Sequence, residues 1–260
     1  MPGVNAAVAA DGDIRVVALA GLAFRVDPEP WALADERRVE IEAHFARLKQ
    51  ANPHLWNGAI LMLGAHDLAG GVLSGRYKRT DFASLLWWRD HGCPELCNAF
   101  GMGALRGSDG AFVLGRMAPW TANAGRIYFA AGTPDLGDIT TDGRVDIDGS
   151  VLREIEEEVG LTAADFLPPP EGGRALHGVF AGRRIALMRE IVTRLPGEEL
   201  AARLREHLAA QKRAELDAII LARSPADIDP AMPDFIRAYL HARWSAGGGI
   251  ADVDNAVMPA

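Results

Sequence analysis

Cysteine is scarce, with Cys93 and Cys97 the only two in 260 residues. A disulfide framework is therefore excluded as the organising device, and a reducing, cytoplasmic setting is expected. The pair does not make a zinc site either, because no further soft ligands or histidine pair stand at a useful spacing. Basic charge is also in short supply. Against 27 Lys and Arg stand 35 Asp and Glu, a net charge of −8, which argues against a surface that binds nucleic acid by neutralising phosphates. A local positive pocket for a small anion stays compatible with that balance. Long apolar runs are missing too: the longest, Val16 to Phe24, is about nine residues against the roughly twenty that span a bilayer, so it reads as a buried strand. The opening has no basic segment ahead of an apolar one, and Asp11 and Asp13 stand where a leader would carry lysines. Neither export nor a membrane partner is expected.

What is present suits a folded α/β protein, with 49% hydrophobic and 24% charged residues. Strand-like segments at 14–25 and 57–64 flank a helical stretch, Ala32 to Gln50, whose Ala34, Val39, Ile41, Phe45 and Leu48 fall at helical spacing. An extended segment follows at 70–77, then a helix at 81–89 with Thr80 as its N-cap. His91-Gly92-Cys93-Pro94 breaks the pattern and suggests an N-terminal α/β unit over 1–95, a second domain over 96–245 and a flexible tail over 246–260. Two short strands around Ser108-Asp109-Gly110 read as a hairpin, and 127–131 as a further strand. A Gly- and Asp-rich loop over 132–149 leads to a helix over 150–159. Strands at 175–180, 185–194 and 217–221 and helices at 198–210 and 233–244 complete the reading.

The chemistry concentrates on one helix. Glu154, Glu157 and Glu158 fall at i, i+3 and i+4, while Val151, Ile155 and Val159 form an apolar stripe on another side. Crowding like charges costs roughly 0.2–0.5 kcal/mol per pair on an exposed helix. Hard divalent cations reward the arrangement, because one helical turn then presents several carboxylate oxygens to one point. Gly160 supplies a helix-ending residue just past these candidate ligands.

Arg153, Glu154, Ile155, Glu157, Glu158, Gly160 and Leu161 resemble the second half of the Nudix signature at every fixed position. In the first half, strict counting places Val145 and Ile139 where that family has Glu and Gly. An insertion of about seven residues restores the match, with Gly132 through Asp138 as the Gly-to-acid element and Asp138 replacing glutamate. A weaker likeness, to the UDP-glucose and UDP-galactose pyrophosphatase branch, rests on Gly132-Thr133-Pro134-Asp135 and Ser150-Val151-Leu152-Arg153-Glu154.

The resemblance implies an α/β/α sandwich around a mixed sheet, with an N-terminal α/β extension. It implies hydrolysis of a nucleoside diphosphate derivative, such as a UDP-sugar, to a nucleoside monophosphate. Mg²⁺ or Mn²⁺ would sit on Glu154, Glu157 and Glu158, and Arg153 would orient the carboxylates. For the base, Glu157 comes first, with Glu190 and Glu198 in reserve. Arg116 and Gly132 are the candidates for substrate contact. Trp56, Trp87 and Trp88 are either stacking surfaces or core. The alternative is a catalytically weak module that senses a nucleotide sugar or ADP-ribose. Dimerisation is left open.

Overall fold

The computed structural model describes residues 14–93, 95–169 and 175–245. The proposed tail at 246–260 lies outside the described residues. In chain order the first elements are β1 (Arg15–Ala18), β2 (Gly21–Val26), α1 (Ala32–Glu36), α2 (Arg38–Ala51), β3 (Ala59–Ala69), β4 (Val72–Asp81) and α3 (Phe82–His91). There follow β5 (Asn98–Arg106), β6 (Phe112–Met117), β7 (Ile127–Tyr128), β8 (Ala130–Gly132) and α4 (Ile147–Val159). The chain closes with β9 (Leu176–Ala181), β10 (Arg184–Val192), α5 (Gly197–Ala210), β11 (Leu216–Ala222) and α6 (Asp234–Ser245).

The larger sheet runs β1-β9-β10-β5-β6-β11, with β8 on β5 and β7 on β6. Its β10–β5 pair is parallel and the other pairs are antiparallel, so the sheet is mixed. Apolar residues of α4 and α5 cover one face, and Phe235, Ile236, Tyr239 and Leu240 of α6 cover the other. This is the expected α/β/α sandwich. A smaller sheet, β2-β4-β3, shares the α4-side core through Phe24, Leu61, Leu63, Leu73 and Tyr77. Its other side packs on the helices α1 to α3. None of the helices among the described residues is long and apolar enough to cross a membrane.

The apolar run at 16–24 is not one strand. Its first half joins β9 in the larger sheet and its second half joins β4 in the smaller. At the break, the Leu19 and Ala20 N–H groups donate to Leu176 (2.9 Å) and Gly71 (2.7 Å) carbonyls. Hydropathy is blind to such a switch because both halves are apolar. Arg15–Ala18, within the segment expected to form the N-terminal unit, thus belongs to the larger sheet. The segment 127–131 divides in the same way at Phe129, leaving β6 for β5. Smaller corrections have local causes. The helix over 32–50 breaks at Arg37, and Val39 is 82% exposed rather than part of the apolar stripe. Asp81, not Thr80, caps α3, because its carboxylate accepts from the Ser84 N–H at 2.8 Å.

Two glycines set the depth of α4. A Cβ on Gly101 would lie 2.5 Å from Val151 Cγ2, and one on Gly103 would lie 2.4 Å from Ile155 Cδ1. The apolar stripe of the helix therefore seats directly on the β5 backbone. At the far end Gly160 adopts φ +69°, a left-handed conformation that ends the helix where the sequence placed its stop.

Candidate catalytic site

Asp146 caps α4 by accepting from the Gly149 N–H at 2.9 Å, which starts the helix in the register that turns two glutamates toward β8. Glu158 is buried, and its Oε1 accepts from the Ala131 N–H at 3.3 Å. Glu154 lies one turn earlier against Gly132, where a Cβ would come within 2.3 Å of Glu154 Oε1. Gly132, proposed as a substrate contact, thus first makes room for a carboxylate. Any side chain there would displace Glu154. Glu157 points outward, its side chain 65% exposed.

Arg153 ties the cluster together. It donates to Asp138 at 2.6 Å and lies 3.5 Å from Glu154 and 3.9 Å from Glu157. Asp138 is buried and also accepts from the Asp135 N–H at 2.9 Å, so it anchors the guanidinium from below. The insertion does not carry Asp138 away. Ile139 bridges Val145, the Thr140 N–H donates to Arg144 O (2.9 Å), and the Asp146 N–H returns to Asp138 O (2.9 Å). The extra residues form a closed side excursion, and Arg25 pins it by donating to Asp142 O at 2.9 Å.

Electrostatics make this a strained pair. Burial pushes Glu154 up to about 7, against the opposing pull of Arg153 and with help from Glu157 and Glu215. Burial pushes Glu158 up to about 8, partly offset by the Ala131 N–H and reinforced by Glu154, Glu215 and Glu157. Arg153 is raised, chiefly by its hydrogen bond to Asp138. Glu215, immediately before β11, is the carboxylate that sequence reasoning missed. It is exposed and sits in no motif, so only the fold brings its charge to Glu154 and Glu158.

Among the described residues, no three acid, histidine or cysteine side chains are already gathered as a metal-holding group. Glu154 and Glu158 turn inward while Glu157 turns out. The donor set still fits a hard dication. Its oxygens are carboxylate, and two of them are desolvated beside further negative charge that a cation would compensate.

No protein-family model matches the chain, and no curated protein matches it. Among solved structures it is similar to the MutT protein from Methanosarcina mazei Go1, at a TM-score of 0.34 and 16% identity over 58% of this chain and 95% of that one. It is also similar to a Nudix hydrolase from M. smegmatis, RenU, at a TM-score of 0.32 and 14% identity over 60% and 88%. The mixed sandwich and the Arg153-Glu154 helix seated against β8 are this chain's own.

Other expected residues do not join the acidic helix. Side chains alternate along β6, and Val113 belongs to the α4-side core, so Arg116 faces the α6 side, where it pairs with Asp217 at 2.6 Å. Glu190 is likewise on the α6 side. It pairs in register with Ala104 and is held by Arg243 (2.7 Å), Arg106 (3.0 Å) and the Tyr239 hydroxyl (3.2 Å), which removes it as a base for this site. Glu198 pairs with Arg223 at 3.2 Å. It stands nine residues before His207, the α5 residue that touches Gly160, which is about 13 Å along the helix. Trp87 and Trp88 are buried core, whereas Trp56 is 77% exposed.

Proposed function

We propose that this chain is a Nudix hydrolase that cleaves the phosphoanhydride of a nucleoside diphosphate derivative. The products are a nucleoside monophosphate and a phosphorylated partner. The observation that carries the reading is the desolvated Glu154–Glu158 pair, set against β8 and braced by the Asp138–Arg153 bond. Glu154, Glu157 and Glu158 would hold Mg²⁺ or Mn²⁺. When bound, such a cation offsets phosphate charge and makes nearby water more acidic.

The chain's own groups supply the rest. Arg153, fixed by Asp138, keeps the Glu154 carboxylate turned toward β8. Glu157, exposed on the rim and beside Arg153, takes the proton from the attacking water. Gly132, whose lack of a side chain makes room for the Glu154 carboxylate, would meet the diphosphate through its backbone. The Leu61 N–H donates to Pro134 O at 2.7 Å, which ties the segment after Gly132 to the smaller sheet and supports a substrate-covering role for the N-terminal extension.

Among small-molecule substrates a UDP-sugar is the first choice, on the Gly132-Thr133-Pro134-Asp135 element and the long loop after it. A panel of UDP-sugars, ADP-ribose, dinucleoside polyphosphates and oxidised nucleotides, assayed with Mg²⁺ and with Mn²⁺, tests this. Metal-dependent release of a nucleoside monophosphate is expected, with UDP-sugars turned over fastest. Binding without turnover across the panel would replace the enzyme with a sensing module.

A further inference from the structure

On the α6 side of the larger sheet, two adjoining cavities of about 640 and 350 Å³ share Arg89, Arg184 and Asp234, and so form one groove. Tyr128 and Met232 in its wall pack into the core beneath α6. Val151 and Ile155 of the acidic helix belong to the core on the opposite side, so the sheet separates the groove from the glutamates. Arg126 and Arg237 line the larger cavity and Arg183 the smaller, which brings five guanidinium groups to a groove lined by a single carboxylate. That carboxylate, Asp234, is already engaged by Arg184 at 2.8 Å. Arg89 is paired with Asp90 at 2.8 Å. Arg126 and Arg237 are exposed, and no side-chain hydrogen bond or ion pair is formed by either among the described residues.

So dense a positive patch on a chain of net charge −8 runs against the balance of the rest of the protein. Its charges also converge. The Tyr128 hydroxyl is raised by burial but pulled back down by Arg126, Arg184 and Arg89 together. A second observation comes from the smaller cavity, where Trp88 is 6% exposed and its indole N–H is buried without a hydrogen-bond acceptor. Guanidinium forks match phosphate oxygens, and several forks around one groove call for several negative charges on one ligand. The volumes fall in the range of small-molecule sites, about 300–1,000 Å³. We propose that this groove binds a small polyphosphate, either an inorganic chain or the phosphate tail of a nucleotide, at a site separate from the glutamate helix.

Titration calorimetry on the full chain in divalent-free buffer tests it, with inorganic tripolyphosphate in one arm and ATP in the other. Binding of both is expected, and it should weaken as salt rises. Comparable affinities assign the phosphate chain as the recognised group, and tighter ATP binding assigns a nucleotide. The double variant Arg126→Gln with Arg237→Gln should bind at least about tenfold more weakly. The charge-matched pair Lys49→Gln with Arg205→Gln, outside the groove, should bind as the parent does, and so should Glu157→Gln. Arg237→Lys reports on charge alone and should retain part of the affinity even if the double variant folds poorly. Absence of binding, equal loss in both double variants, or loss in Glu157→Gln would overturn the proposal.

Discussion

In Glu157→Gln, anhydride cleavage slows by a factor of about 10²–10⁴ while KM changes little, the range expected when a positioned general base is neutralised. The substitution keeps the size of the side chain, and Glu157 is 65% exposed with its nearest charged contact, Arg153, at 3.9 Å. Folding should therefore be untouched, and circular dichroism and thermal melting check that. Glu158→Gln is the informative contrast. It alters a buried oxygen that accepts from the Ala131 N–H, so it should raise the metal concentration needed for turnover further than Glu157→Gln, which changes a ligand on the exposed rim, does. Full activity in Glu157→Gln would sink the assignment. The next carboxylate to test would then be Glu215, whose charge reaches both Glu154 and Glu158.

Glu190→Gln should be the costliest single change outside the site, destabilising the protein by about 3 kcal/mol, because removing one member of a buried ion pair leaves its partners uncompensated. For a protein of this size that lowers Tm by about 6–12 °C. Arg243 and Arg106, only 14% and 24% exposed, would lose their shared negative charge, and the two guanidiniums and the Tyr239 hydroxyl would be left one amide oxygen to share. Burial pushes Glu190 up, but Arg243 and Arg106 together outweigh it and hold the group below its ordinary value of 4.5. A depressed carboxylate stabilises the fold above its unfolded value, and that contribution disappears as pH falls through the folded value. The gap between parent and variant should thus be full at neutral pH and close progressively below about pH 4.5. Urea unfolding across a pH series measures it. A gap that stays constant through acid pH would show that Glu190 acts by packing and not by charge.

The acidic helix was legible because its two stripes obey the helical period and its stop is a glycine; both are local facts. The α/β content followed from alternating strand and helix signals, whereas the mixed sandwich was implied only by the resemblance that Arg153 through Leu161 carry. What escaped detection depends on which strand sits beside which. Glu190 and Arg116 are strand residues, and a one-residue step decides which face they occupy. The charge of Glu215 is brought toward Glu154 and Glu158 only because β11 pairs with β6. Asp138 was visible as the acid of a stretched motif, but its task of gripping Arg153 required the side excursion of 139–145 to close on itself.

The four-residue strand β1 has a bearing on how this protein can be cut. It caps the edge of β9, whose six residues are all buried. A fragment starting at residue 96, where sequence punctuation suggests a boundary, would expose an unpaired ladder beside apolar side chains. Such an edge recruits other chains. The shortened protein should therefore form aggregates, while one that keeps residues 14–18 should remain dispersed.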